Sequence, residues 1–429
     1  MKLLTCSAIA LATVLTAAPA AAQYGGYSSA PTPPPTVPQT DQPKQAQDSQ
    51  DKSEGERKLR PSGKALKPLS ELQAAIKSKD AAAIQAKLAA AQAAVSTNED
   101  RAILGQLQLQ HAADTNDTAG AMAAMDAIVA SGVLRPAEAG PLLKNLSGLR
   151  FSAKQYDQAA AVIDQRLRLD PNDLDAIGLL AETRNAQGRI PDAVAALQRG
   201  IQLQSAGGRK PDENWVKRAT ALAYNAKLAN APELARQWVA AYPSPTSWRN
   251  SIAIYRNTTH PDAEGMLDLL RLESATGSLT EPSDYQLYAT AAAQQGNYVE
   301  ALAILNQGAT AKHIDPASAD FSDLFKGLKA KPQATEADLA EAAKTAPAAS
   351  TLVRIGDRYY GLGNYAKAAE TYRAALAKSD ADANVGNLHL GMALARSGDK
   401  AGAAAAFAKV GGSLSEIAKY WQVYLQTVA

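Results

Sequence analysis

The sequence predicts an all-α protein, an α-solenoid of stacked helix–turn–helix repeats, and three observations carry that prediction. Apolar and small residues recur at three- and four-residue spacing through nearly all of the chain beyond Leu66, the period of helices with one buried face. The turns between these segments are short and repeat a formula: Lys154-Gln155-Tyr156, Gln187-Gly188-Arg189, Gly296-Asn297-Tyr298, Gly363-Asn364-Tyr365 and Gly398-Asp399-Lys400 take the same place in successive units. Alanine, the strongest helix former, is abundant, while aromatics make up only 5% of the 429 residues and the β-branched runs that mark strands are rare.

The chain opens on a different pattern. Met1-Lys2 is a short positive start, Leu3 to Ala18 is apolar, and Pro19-Ala20-Ala21-Ala22-Gln23 ends on small residues. This is the layout of a secretory signal peptide, residues 1–22, with cleavage after Ala22. Pro19 and the small-residue end favour cleavage over a retained anchor. A lipoprotein signal on Cys6 does not fit, because Thr5 stands where a small residue is expected and the apolar run follows the cysteine. The expected location is periplasmic or secreted, in a bacterial setting, with no integral membrane segment after cleavage. Cys6 is the sole cysteine, so the mature chain is expected to hold no disulfide and no thiolate site.

Residues 23–67 read as a disordered linker. Ser28 to Pro38 is proline-rich, and a Gln-, Asp-, Lys- and Ser-rich stretch runs on to Arg60-Pro61-Ser62-Gly63, with almost nothing to bury. A spacer is the simpler reading than a proline-rich ligand segment.

Residues 68–412 read as the repeat array. In the unit beginning near Ala349, Ile355, Gly356 and Tyr359 share one helix face, and Ala368, Tyr372 and Ala375 mark the second helix. Small Gly356 and Ala368 stand where the two helices must nearly touch. Leu390, Gly391, Leu394, Ala403 and Phe407 repeat the arrangement, as do Tyr288, Ala289, Ala292, Ala301 and Leu305. Leu180, Ala181, Ala193 and Leu197 do so earlier, and before them Leu146, Ser147, Ala159 and Ile163. Gly188 follows Lys154 by 34 positions and Gly398 follows Gly363 by 35. The pattern resembles the tetratricopeptide repeat of bacterial exported proteins, a 34-residue helix–turn–helix unit. It is looser over 98–132 and 212–277 and departs most over 316–346. Ile417, Tyr420, Trp421, Tyr424 and Leu425 lie on one face of a further helix, so residues 413–429 are expected to cap the stack.

Chemistry is sparse. The histidines His111, His260, His313 and His389 are far apart in sequence and no H-E-x-x-H occurs, so each reads as a surface or partly packed residue and no metal is expected. Gly361-Leu362-Gly363-Asn364-Tyr365-Ala366 spells a dinucleotide fingerprint, but it falls at a hairpin turn after a helix, where the fingerprint needs a preceding strand. Nothing supplies a nucleophile with a base. No catalysis and no cofactor are expected. Basic and acidic residues number 44 and 42, a net charge of +2, which argues against nucleic acid.

The resemblance implies a right-handed superhelix whose concave face, lined by first helices, binds a protein or peptide partner. Its open positions include Lys144, Phe151, Glu182, Asn185, Gln286, Thr290, Asp357, Tyr360, Met392 and Arg396. Asp357 with Tyr360 and Met392 with Arg396 are expected to stack side by side as the centre of the site. The leading expectation is a non-catalytic scaffold of the cell envelope. The alternative is an accessory of polysaccharide export or modification that binds envelope glycan directly; Tyr285 and Tyr360 are tyrosines that such a groove could use.

Overall fold

The computed structural model describes residues 59–427. The signal-peptide expectation and the linker up to residue 58 lie outside the described residues. Helices alternate with short turns throughout, and no strand occurs among the described residues. The chain forms two compact units, divided after Gly188.

The N-terminal unit holds α1 (Gly63–Ser78), α2 (Ala81–Ala94), α3 (Asn98–Asp114), α4 (Thr118–Ala130), α5 (Pro136–Ser152), α6 (Tyr156–Leu169) and α7 (Leu174–Ala186). Its helices pack as consecutive antiparallel hairpins, α1 on α2, α3 on α4 and α5 on α6, and first helices also meet one another, α1 with α3 and α5 with α7. The fold starts inside the stretch assigned to the linker. Ser62 caps α1, and the buried Asp100 accepts hydrogen bonds from the Ser62 amide (2.7 Å) and hydroxyl (2.8 Å) as well as from the Ser96 and Thr97 amides. Leu59 packs against the same small core as Leu69, Leu72 and Ile103. The linker reading weighed composition alone and missed a cap that a partner 38 residues away completes.

The C-terminal unit begins with α8 (Ile190–Ser205), α9 (Glu213–Asn225), α10 (Ala231–Ala241), α11 (Pro245–Thr259) and α12 (Ala263–Ala275). It continues with α13 (Pro282–Gln294), α14 (Tyr298–Thr310), α15 (Ala319–Lys329), α16 (Glu336–Lys344), α17 (Ala349–Gly361) and α18 (Tyr365–Leu376). It ends with α19 (Ala383–Ser397), α20 (Lys400–Phe407) and α21 (Ser415–Thr427). Hairpins α13/α14, α17/α18 and α19/α20 follow the predicted register. Ala368, Ala301 and Ala403 are fully buried. A methyl group on Gly356 would meet the Tyr372 ring at 2.4 Å, and one on Gly391 would meet Phe407 at 2.4 Å. The turn glycines Gly188, Gly296, Gly363 and Gly398 all adopt left-handed backbone, φ 74–90°, and Lys154 takes the same conformation at its turn (φ 59°).

Two departures decide what this unit can present. First, α14 packs directly on α17 as well as on α15, so α15 and α16 are an excursion between stacked hairpins. Phe321, Phe325 and Leu328 anchor α15, and Leu339 anchors α16. That is why 316–346 resists reading as a repeat. Second, α12 is buried all round: Leu267, Asp268, Leu269, Leu270, Arg271, Leu272 and Glu273 are all core residues. It touches α11, α13 and α21 through backbone proximity, and α14, α17 and α19 through side chains. Leu269 and Leu272 enter one hydrophobic cluster while Leu267 and Leu270 enter another. The cap α21 is likewise more than an end piece. Trp421 and Tyr420 are fully buried, the Tyr420 hydroxyl reaches Ser251 on α11, and Glu416 pairs with Arg236 on α10. In this unit α12 and α21 pack on the side of α17 and α19 where a groove was expected.

Candidate functional site

The buried charges of α12 build the densest charged site of the C-terminal unit. Asp262 caps the helix by accepting the Gly265 amide at 2.8 Å. One turn on, Asp268 and Arg271 stand three residues apart on one face, with Arg271 Nη1 at 3.2 Å from Asp268. Arg271 then grips Glu300 of α14 with two donors, Nε to Oε1 at 2.8 Å and Nη2 to Oε2 at 2.9 Å, and reaches Asp357 of α17 at 3.3 Å. Its side chain is 1% exposed. His389 of α19 closes the cluster, with Nε2 at 3.3 Å from Asp268 and Nδ1 at 3.1 Å from Asp357. The Nδ1 contact lacks hydrogen-bond alignment, which leaves it the least satisfied atom of the cluster.

Tyrosines complete the shell. Tyr288 donates to Glu300 at 2.9 Å, Tyr372 donates to Asp357 at 2.7 Å, and the Tyr360 ring lies over the Arg271 guanidinium at 4.9 Å. Burial raises the pKa of each of these phenols, so they stay protonated and can donate. Burial disfavours the His389 cation, but Asp268 and Asp357 outweigh it and lift the pKa to about 10. Burial likewise opposes the Asp357 anion, and His389 and Arg271 override it, holding the carboxyl well below its usual range. The cluster therefore carries three carboxylates against two cations. A histidine protonated at neutral pH offers no general base, and every carboxylate is already committed to a cation. The arrangement holds charge in place. It forms one wall of a cavity of about 350 Å³, whose other walls include Leu267, Val353, Leu376 and Val385 and whose rim carries Glu264, Arg354 and Asp382.

The sequence-derived binding residues fare unevenly. Asp357 and Tyr360 do share a face of α17, yet Asp357 is spent on Arg271, His389 and Tyr372, and Tyr360 is 6% exposed. Met392 is fully buried, so the expected surface patch with Arg396 does not exist as a surface. The reason is that Met392 lies in the hydrophobic cluster that α12 (Leu269, Leu272) and α21 (Tyr420, Trp421) share with α17 and α19. Arg396 instead stacks over Tyr365 at 5.1 Å and donates to its hydroxyl at 3.0 Å. Gln286 and Thr290 are exposed on α13. In the N-terminal unit, Lys144 is exposed and pairs with Asp175 at 2.5 Å, while Phe151, Glu182 and Asn185 are partly exposed. Tyr285 is core, its hydroxyl bonded to the Leu279 carbonyl at 3.0 Å, so neither tyrosine proposed for stacking on sugar is available. His389, read as a surface or partly packed residue, is 5% exposed and central.

Sequence reasoning missed Asp268, Arg271 and Glu300. A signal was present in Leu267-Asp268-Leu269-Leu270-Arg271-Leu272-Glu273: leucines on every side leave no polar face for the charges, which must then find partners inside. Among the described residues, no group of three or more His, Cys, Asp or Glu is placed to hold a metal ion, and no helix is long and apolar enough to cross a membrane.

With hairpin register, ring-on-glycine packing and turn geometry in hand, comparison with known proteins can be set beside them. Residues 150–205 match the tetratricopeptide repeat family. That stretch contains the turns at Lys154 and Gly188. No curated protein matches the chain. A solved structure described as "Structure of Naa15/Naa10 bound to HypK-THB" is 13% identical, with 80% of this chain and 57% of that chain covered and a TM-score of 0.29. This chain thus spans little more than half of that one, and a likeness this weak bears on neither activity nor partners.

Proposed function

We propose that this chain is a non-catalytic scaffold of the bacterial cell envelope that holds a protein or peptide segment on the first-helix face of its N-terminal unit. The observation that carries the reading is the contrast in access along the first helices. On α5 and α7 the Lys144–Asp175 pair remains in solvent, with side chains 57% and 68% exposed, and Glu182 and Asn185 continue the same helix partly exposed. Tetratricopeptide-type hairpins are interaction modules, and a partner needs first helices that it can reach. The envelope location rests on the Ala20-Ala21-Ala22 ending of the leader.

A Lys144→Glu, Glu182→Lys charge reversal tests the binding face. The expected result is an unchanged helical signal and melting temperature, with loss of the partner that the unaltered chain captures on crosslinking. Full retention of that partner moves the site away from α5 and α7. Intact-mass measurement of the exported protein tests the location, with a first residue of Gln23 expected and a chain retaining Leu3 to Ala18 arguing against it.

A further inference from the structure

The other buried ionised side chains around the α12 core have opposite charges at hand. Arg271 has Asp268, Glu300 and Asp357, Glu273 has Arg256, and the largely buried Arg236 has Glu416. Arg396 breaks the rule. It is partly buried, and its contacts are the Tyr365 hydroxyl at 3.0 Å and the Tyr365 ring. No carboxylate among the described residues lies within ion-pair distance of it. A guanidinium has five donors in a rigid fork, and a partly desolvated cation without a counter-charge is costly to keep.

Those donors border a cavity of about 250 Å³. Ser274, Gln307 and the hydroxyl-bearing Tyr360 and Tyr365 line it with Arg396, and Ile304 and Leu362 supply an apolar wall. Tyr360 is a second, independent sign. Its side chain is nine-tenths buried, yet its hydroxyl bonds to nothing among the described residues and shares this cavity. Arg271 and Glu300 also reach the cavity, but they saturate one another and Tyr288. Among the lining residues, Arg396 is thus the cation with no carboxylate beside it, and the Tyr360 hydroxyl is an uncommitted donor.

We propose that this cavity binds a small free organic carboxylate, held by the fork of Arg396 and the Tyr360 hydroxyl, with a short hydrocarbon portion against Ile304 and Leu362. The site lies wholly within the C-terminal unit and stands independently of the partner face on α5 and α7.

Isothermal titration of the full chain with sodium succinate, against sodium chloride of matched ionic strength, tests it. Saturable binding is expected in succinate and none in chloride. Arg396→Gln should weaken the binding about ten-fold or more, since a charge-assisted fork is lost. Tyr360→Phe should weaken it by less, and Arg354→Gln, an exposed arginine at the other cavity, should leave it unchanged. Should Arg396→Gln fail to fold by circular dichroism, Arg396→Lys and Tyr360→Phe decide, because both keep the packing. Equal affinity in the Arg396 and Tyr360 variants, or no saturable signal in the unaltered chain, overturns the proposal. Binding of inorganic phosphate without binding of succinate overturns the ligand class.

Discussion

In the N-terminal unit, the ion pair that links successive first helices, Lys144 with Asp175, lies in solvent. In the C-terminal unit, Asp357, on the first helix α17, meets Arg271 from α12, and that side chain is 1% exposed. Both units stack the same kind of hairpin, yet one leaves the facing pair of α5 and α7 accessible and the other packs α17 and α19 against α12. The difference teaches that the repeat pattern specifies how a helix meets its hairpin partner and says nothing about what fills the space beyond. An open face can serve a partner, whereas a filled one turns its polar residues into structure.

The largest test of that contrast is Arg271→Met. It leaves Glu300, Asp357 and Asp268 buried without their shared cation, and breaking a buried network in this way costs about 3–5 kcal/mol. Urea unfolding should show the C-terminal unit losing that much. A change below about 1 kcal/mol would mean that the network is more hydrated than its burial indicates. Next comes the hairpin contact common to both units. Ala368→Arg forces a long charged chain into a fully buried position, where overpacking alone costs about 1–3 kcal/mol. Arg373→Ala, on the exposed side of the same helix, should shift stability by less than about 0.5 kcal/mol. Equal melting temperatures for these two variants would refute the register.

Titration separates the units in another way. His389 has a folded-state pKa of about 10 against an ordinary value of 6.5. The stability it contributes is therefore fully present below pH 6.5 and is lost as the pH rises through 10. Burial pushes Glu273 up to about 7 despite Arg256, in the same direction, so its share falls away between the ordinary value of 4.5 and 7. Unfolding followed from pH 6 to 10 should show the C-terminal unit weakening, and His389→Gln should flatten the slope above pH 7. A slope unchanged by that substitution would place the titration elsewhere. The smallest effect belongs to the open unit. Lys144→Ala removes an exposed pair worth about 0–1 kcal/mol, so melting should barely move, and a drop of several degrees would show the pair to be more than a surface contact.

Much of the hairpin geometry was legible in the chain. Gly356 opposite Tyr372 and Gly391 opposite Phe407 follow from three- and four-residue spacing, because contacts within a hairpin are local. The buried Ala368 and the left-handed turn at Gly363 are local as well. The binding patch was not legible in the same way. The repeat register places Asp357 and Met392 on an open face, yet Asp357 is met by Tyr372 of its own hairpin and by Arg271 of α12, and Met392 lies in the core.

The amino-acid sequence by itself determined the helix class, the hairpin pairing, the turn chemistry and the small-residue contacts, since each of these depends on residues within about one repeat. Tertiary structure alone decided that α12 enters the C-terminal unit, that α15 and α16 stand aside so that α14 meets α17, and that α21 returns to α10 and α11. Arg271 reaches Asp357 across 86 positions and His389 reaches Asp268 across 121. Periodicity reports which face of a helix is apolar, and it carries no information about which distant helix supplies the charge that a buried Arg271 needs.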